Sequence, residues 1–343
     1  MKNKKNIILF SLSTLFLVSF SLNIVNKKLN DSDKVMDVLV KLGDKKPLHF
    51  KPFSQLNKTK IAKGEEIIKT GITTTTEGKK TKKQSKHFVC TDCHNTKQED
   101  PDLRFSVPET RLTYAKENNL KFLQGTTFYG TVNRKSWYNE DYIKKYGNLV
   151  LPANDTLENA IHLCAVECSQ GRDLSDFEME VVMEYYLSIG YEIKDLKLSD
   201  TEKESIKKAL ETGTNKKASI ELIKSKYLDY SPATFLEPTP INERKLGKSG
   251  NVSNGKSIFE LSCLPCHNQE GNITNYKLSK GKLDMKHLKF WAKTKKVFSV
   301  YEIIRKGTYP KNGYHAYMPN YTKERMSETQ IEDLMAYINI AIN

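Results

Sequence analysis

Acidic residues are in short supply. In 343 residues, Asp and Glu number 41 against 55 Lys and Arg, for a formal net charge of +14. Such a surface suits anionic partners: an acidic protein, a lipid headgroup or a small oxyanion. The lysines are scattered and no nucleic-acid-binding motif is present, so nucleic acid is not an expected partner. Cysteine is scarce too, at six residues. None follows the apolar N-terminal run, which excludes a lipid-modified cysteine there. Methionine is missing from the whole stretch between His94 and Met179, and that absence becomes informative below.

The N-terminus carries Lys2, Lys4 and Lys5, then an apolar run from Ile7 to Val25. That pattern is a secretion signal or a short membrane anchor. Either predicts export, to the periplasm or the outer face of the cytoplasmic membrane. Ser19 and Ser21 suit cleavage after Ser21, while the length of the run suits retention and membrane anchoring.

Four cysteines fall in two motifs, Cys90-Thr91-Asp92-Cys93-His94 and Cys263-Leu264-Pro265-Cys266-His267. The spacing is that of c-type haem attachment. Two thiols bond the two vinyl groups from one side of the ring, and the adjacent histidine then lands under the iron. Zinc needs four ligands in one place, and neither motif has a partner cysteine nearby. A disulfide does not explain a histidine in the same position twice. The expected cofactors are therefore two haem c groups, bound through Cys90, Cys93, Cys263 and Cys266, with His94 and His267 on the irons.

The segments around the motifs repeat. Both halves end in a helix opened by a capping box, SDFE from Ser175 and SETQ from Ser327, followed by apolar residues at helical spacing. Aligning Ser175 with Ser327 pairs Val182 with Leu334, Met183 with Met335 and Tyr185 with Tyr337. Residues 253–343 resemble a class I cytochrome c, through Gly255 and Phe259 on the first helix and Tyr337 on the last. The resemblance implies that Met318, in YMPNY, is the second iron ligand of that domain. Met326 and Met335 are its rivals, but Met335 points into the helix interface by its spacing and Met326 directly precedes the cap. A His/Met pair gives a closed, high-potential iron.

Met318 stands nine residues before its capping serine. Nine before Ser175 is Val166, flanked by Cys164 and Cys168. With no methionine at hand, four readings of the position opposite His94 stand. One cysteine ligates the iron. The two cysteines form a disulfide, although i and i+4 β-carbons on a regular helix lie about 5–6 Å apart, farther than that bond favours. Both are small buried residues. Or His162, His87 or no side chain fills the site.

The run Ile161-x-x-Cys164-x-x-x-Cys168-x-x-Gly171-Arg172, ahead of a Glu-Met-containing last helix, is similar to the first haem domain of thiosulfate dehydrogenases. That resemblance implies that Cys164 is the axial ligand of an active-site haem, that Arg172 closes the motif, and that a small sulfur oxyanion is the substrate. The chain departs from the family between Glu167 and Gly171, where an acid replaces a base. Arg172, Arg134, Lys135 and Arg111 are the cations that would hold such anions. Propionate pairing or plain surface charge accounts for them equally well.

The expected fold is mainly α, with two tandem cytochrome c-like helical domains joined by an irregular strap. The expected divisions are a signal or anchor (1–28), an extension (29–62), a first haem domain (63–197), a linker with helices and a Pro-rich strap (198–252) and a second haem domain (253–343). The expected function is electron transfer between redox partner proteins. A sulfur-compound oxidoreductase at the first haem is the alternative, with Cys164 and Arg172 catalytic, and a di-haem peroxidase is the second alternative.

Overall fold

The computed structural model describes residues 29–268, 278, 282–294, 299–308 and 318–341. The N-terminal run read as a signal or anchor lies outside the described residues. Among those described, no helix is long and apolar enough to cross a membrane. The described chain is mainly α, with isolated bridges such as Thr74–Lys80 and no strand.

Helices α1 (Val35–Leu42), α2 (Lys58–Thr70), α3 (Pro108–Glu117), α4 (Glu140–Tyr146), α5 (Leu157–Leu163) and α6 (Asp176–Ser188) lead through the first motif and its surroundings. Helices α7 (Asp200–Thr212) and α8 (Lys216–Lys224) follow. Then come α9 (Val252–Ile258), α10 (Leu264–His267), α11 (Lys282–Ala292), α12 (Val300–Lys306) and α13 (Glu328–Ala341). Both expected capping boxes form. Glu178 N–H donates to Ser175 Oγ and Ser175 N–H to Glu178 Oε2, and Ser327 and Gln330 exchange the same pair of bonds.

One crossing occurs twice. Helix α2 lies against α6 so closely that a Cβ on Gly64 would fall 2.0 Å from the Val181 carbonyl oxygen and 2.8 Å from Tyr185 Cβ. Helix α9 lies against α13 in the same way. A Cβ on Gly255 would fall 1.9 Å from the Asp333 carbonyl oxygen and 2.9 Å from Tyr337 Cβ. Val181 and Asp333 sit at the same distance beyond their capping serines, so the contact geometry reproduces the alignment of the two segments. Phe259 then stacks obliquely on Tyr337, with ring centroids 5.3 Å apart.

The extension and the first part of the linker are not loose. Val35, Val38, Leu39 and Leu42 of α1 join Ile206, Ala209 and Leu210 of α7 and Ile223 of α8 in one buried cluster, closed by Tyr191, Ile193 and Leu196 beyond α6. Segments far apart in sequence thus supply the two halves of one small core. The Pro-rich stretch after α8 runs as an irregular strap and is tied at intervals. Phe235 N–H donates to Asp141 at 3.0 Å, Thr234 N–H to Glu324 at 2.8 Å, and the buried Arg244 binds Glu302 and the Ala292 carbonyl.

Candidate functional site

The second motif opens with a widened helical turn. A π-turn, Phe259–Cys263, continues α9 and ends on the first cysteine, and α10 then carries Cys266 and His267. These three residues and Met318 line one largely apolar cavity of about 450 Å³, walled also by Phe259, Leu288, Ile304 and Tyr321. That size lies within the roughly 300–1,000 Å³ usual for cofactor sites.

Met318 is held by its backbone. Thr308 N–H donates to the Met318 carbonyl at 2.8 Å, and Met318 N–H donates to Thr308 Oγ1 at 2.7 Å. Gly307 before it has φ +68°, and a Cβ there would fall 2.4 Å from the Met318 carbonyl oxygen. A glycine is what lets this loop close. Of the rivals, Met335 packs in the core between the helices, while the buried Met326 also reaches the cavity wall.

In the first motif, Cys90–Asp92 form a short 3-10 turn, closed by Val89 N–H donating to Asp92 at 2.7 Å. His94 stacks on Phe128, with centroids 4.3 Å apart, and Phe128 leans on Tyr186. The His94 Nδ1 lies 2.6 Å from the Thr126 carbonyl oxygen. A carbonyl only accepts, so Nδ1 carries the hydrogen and Nε2 keeps its lone pair, the arrangement a metal-ligating histidine needs. Burial pushes His94 down to about 4, so its ring is neutral at pH 7.

Both motifs meet on the segment 122–127, FLQGTT. Phe122 N–H donates to the Leu261 carbonyl at 3.0 Å, and Ser262 Oγ donates to the Phe122 carbonyl at 2.7 Å. A few residues on, Gly125 N–H donates to the Cys93 carbonyl at 2.9 Å. A Cβ on Gly125 would lie 2.5 Å from His94 Cε1, so the close approach needs glycine. Between them, Gln124 bonds Cys93 and also lines the cavity of the second motif, as does Phe88. Cys93 lies within electrostatic reach of Cys266.

A buried ion cluster locks this junction. Arg325, just before α13, reaches Glu99 at 2.7 Å and the Gly125 carbonyl at 2.7 Å. Arg111 binds the Leu123 and Arg325 carbonyls and stands 3.8 Å from Glu99. Burial works against the Glu99 charge, but Arg325 and Arg111 outweigh it and hold Glu99 down to about 2. Burial, then the neighbouring Glu99, push Asp100 up to about 7.

The two remaining cysteines occupy a second π-turn, Cys164–Cys168, closed by Ser169 N–H donating to the Cys164 carbonyl at 2.8 Å. The widened turn brings Cys164 and Cys168 into thiol–thiol hydrogen-bond contact, with no bond between them. That contact, then burial, push the Cys168 thiol well above its ordinary range. Around the pair stand Tyr138, Tyr142 and Tyr186. Tyr186 is also near Cys90, and Cys168 is near Cys93. The cysteine turn therefore lies within electrostatic reach of the first motif.

His162 instead pairs with Asp173 at 2.9 Å, along an outer groove shared with Val166 and Glu167. The turn is clamped by the end of the basic insertion. Gln84 Nε2 donates to the Ala165 carbonyl at 2.8 Å, and Ser85 Oγ to the Ser169 carbonyl at 2.6 Å.

The four cations considered for anion binding do not converge. Arg172 forks onto Glu178 at 2.7 and 2.6 Å and also donates to the Lys82 carbonyl. Arg134 binds the Thr127 carbonyl and Ser231, Lys135 pairs with Asp229, and Arg111 is buried at the junction. Lys145 on α4 bonds Asn320 and feels the Cys168 charge. Burial brings Lys145 down to about 8. It sits in the long aromatic segment 122–150, and lysine spacing carried no signal of it.

A family model described as cytochrome c oxidase, cbb3-type, subunit III matches residues 250–338. No curated protein and no solved structure matches the chain. The C-terminal part of the chain is a cytochrome c-like domain, and such a domain supports haem-based electron transfer.

Proposed function

We propose that the protein is an exported di-haem c-type cytochrome that carries electrons between redox partner proteins. The observation that carries this reading is the meeting of the two CxxCH motifs on one segment, with Gln124 bonding Cys93 and lining the cavity of the second motif. The apolar cavity behind His267 and the fixed tautomer of His94 suit haem. Cys90 and Cys93 would hold one haem and Cys263 and Cys266 the other, in tandem domains at 63–197 and 253–343. Each haem, when bound, supplies a one-electron Fe(III)/Fe(II) couple.

The chain's residues do the rest. His94 and His267 would each hold an iron through Nε2. Met318 would be the second holder of the His267 iron, where a thioether raises the potential, and Cys164 would be the second holder of the His94 iron, where a thiolate lowers it. The tyrosines around Cys164 limit water, and segment 122–127 holds the two sites at fixed separation. Export rests on the N-terminal apolar run, because c-type haem is attached outside the cytoplasm.

A second reading is favoured by the thiol pair itself. Two sulfurs beside a ligand position suit a sulfur-compound oxidoreductase, with Cys164 at the reacting centre and Arg172 as the closing cation of the motif. The engagement of Arg172 with Glu178 favours the carrier.

The test is the mass of the purified protein together with low-temperature EPR of the oxidised form, beside Cys164→Ser. Two haem additions, and a low-spin signal of narrow g-spread lost in the variant, support the proposal. A single addition overturns it. Unchanged His/Met or His/His signals remove Cys164 from the iron. Turnover with thiosulfate or a similar donor, absent in Cys164→Ser, would favour the second reading.

A further inference from the structure

We infer that Cys164 and Cys168 are a third redox centre, a dithiol–disulfide couple that exchanges two electrons with the two haems. The inference rests on the di-haem reading above. It goes beyond a ligand role for one cysteine because it gives the second cysteine a task.

The π-turn is the first ground. On a regular helix the two β-carbons would stand about 5–6 Å apart, against about 3.5–4.5 Å in a disulfide. The extra residue in the turn, closed by Ser169 N–H on the Cys164 carbonyl, lets the sulfurs touch. Such bulges recur at functional sites. The second ground is that the backbone is clamped from outside. Gln84 and Ser85 hold the Ala165 and Ser169 carbonyls, so bond formation needs side-chain rotation and no refolding.

The third ground is the company the pair keeps. Lys145 on α4 is a cation within electrostatic reach of Cys168. Both cysteines are partly exposed, and neither belongs to a CxxCH motif. The fourth ground is stoichiometry. A dithiol gives up two electrons, Cys168 and Cys266 both lie within electrostatic reach of Cys93, and the two haems that the CxxCH motifs would hold match that count.

The step balances. The Cys168 S–H bond breaks, the Cys164 thiolate leaves the iron it would hold, an S–S bond forms between their Sγ atoms, one proton leaves, and two electrons pass one each to two ferric haems. The S–S bond also takes Cys164 away from the iron that His94 would hold. In reverse, two ferrous haems reduce the disulfide. A small thiol or disulfide is the class of external reactant such a couple exchanges with.

The test uses the full haem-loaded protein, poised with ferricyanide or dithionite, quenched in acid, denatured and alkylated with iodoacetamide. Intact mass first counts the haems. Peptide mapping is expected to show alkylation of Cys164 and Cys168 in the reduced sample and of neither in the oxidised one. Coulometric titration should then take four electrons per wild-type molecule and two for Cys168→Ser with equal haem content. Two haems with both cysteines alkylated in both states, or two electrons for the wild type, would overturn the couple and leave the di-haem reading standing. Fewer than two haems would overturn that reading and the electron count with it.

Discussion

The two helical crossings are alike, but the loops facing the two motifs differ. Beyond α12, Met318 is held by two hydrogen bonds to Thr308 and by the closeness that Gly307 allows. Its side chain is an apolar thioether at the wall of an apolar cavity. Before α6, a π-turn presents two thiols in mutual contact, clamped by Gln84 and Ser85 and surrounded by tyrosines and one lysine. A pinned thioether suits a site that only passes electrons, and a clamped thiol pair suits one where bonds also change. A π-turn occurs in each half, yet at Phe259–Cys263 it ends on the first cysteine of a CxxCH motif and at Cys164–Cys168 it holds the two cysteines outside those motifs. The same backbone device serves different ends because it sits at different points along the repeat.

The comparison breaks most readily at the junction. Arg325→Met would leave Glu99 buried without its nearest cation, at a cost of about 3–5 kcal/mol. Calorimetry should then resolve separate transitions for the two halves, and one unshifted transition would show that they do not depend on this pair. Next come Gly64→Ala and Gly255→Ala. Each drives a methyl into a backbone carbonyl and should lose about 1–3 kcal/mol in urea unfolding. Equal losses would establish the two crossings as energetic equivalents, whereas a tolerated alanine in one would show that its helices can slide apart.

The ligand loops should respond in opposite directions. Met318→Ala is expected to lower the potential of the second haem and Cys164→Ser to raise that of the first, within the ~0.8 V span that axial ligands cover. Potentiometric titration reads both, and shifts of the same sign would contradict the assignment. The smallest effect concerns Asp100. The unfolded chain releases that proton near pH 4, while the folded protein keeps it to about 7. Stability from this group therefore falls as pH rises between those values. Asp100→Asn should flatten that slope and raise Tm at pH 8 by about 2–4 °C, with no gain at pH 4.

The residues that announced themselves in sequence did so through short-range chemistry. The capping boxes at Ser175 and Ser327 are three-residue patterns, and the helical spacing after them led to the crossing seen at Gly64 and Gly255. The CxxCH spacing is likewise local, and the structure gathers Cys263, Cys266, His267 and Met318 around one cavity. What stayed hidden depends on distant partners or on a departure from regular geometry. FLQGTT reads as an ordinary loop because its contacts are backbone bonds to Cys93 and Leu261. Helix α1 looks unassignable because its apolar partners lie on α7 and α8. The thiols of Cys164 and Cys168 look too far apart as long as the turn between them is taken to be α-helical.

The wall contributed by Phe88 and Gln124 bears on how the chain can be divided. The family match begins at residue 250, as though a cytochrome could be cut free there. Yet part of the lining around Cys266 and His267 comes from more than a hundred residues upstream. An excised C-terminal piece would expose that side of its cavity to water, along with the Leu261 and Ser262 groups that now bond Phe122. The gene fragment that looks like a complete module would yield one with a missing pane.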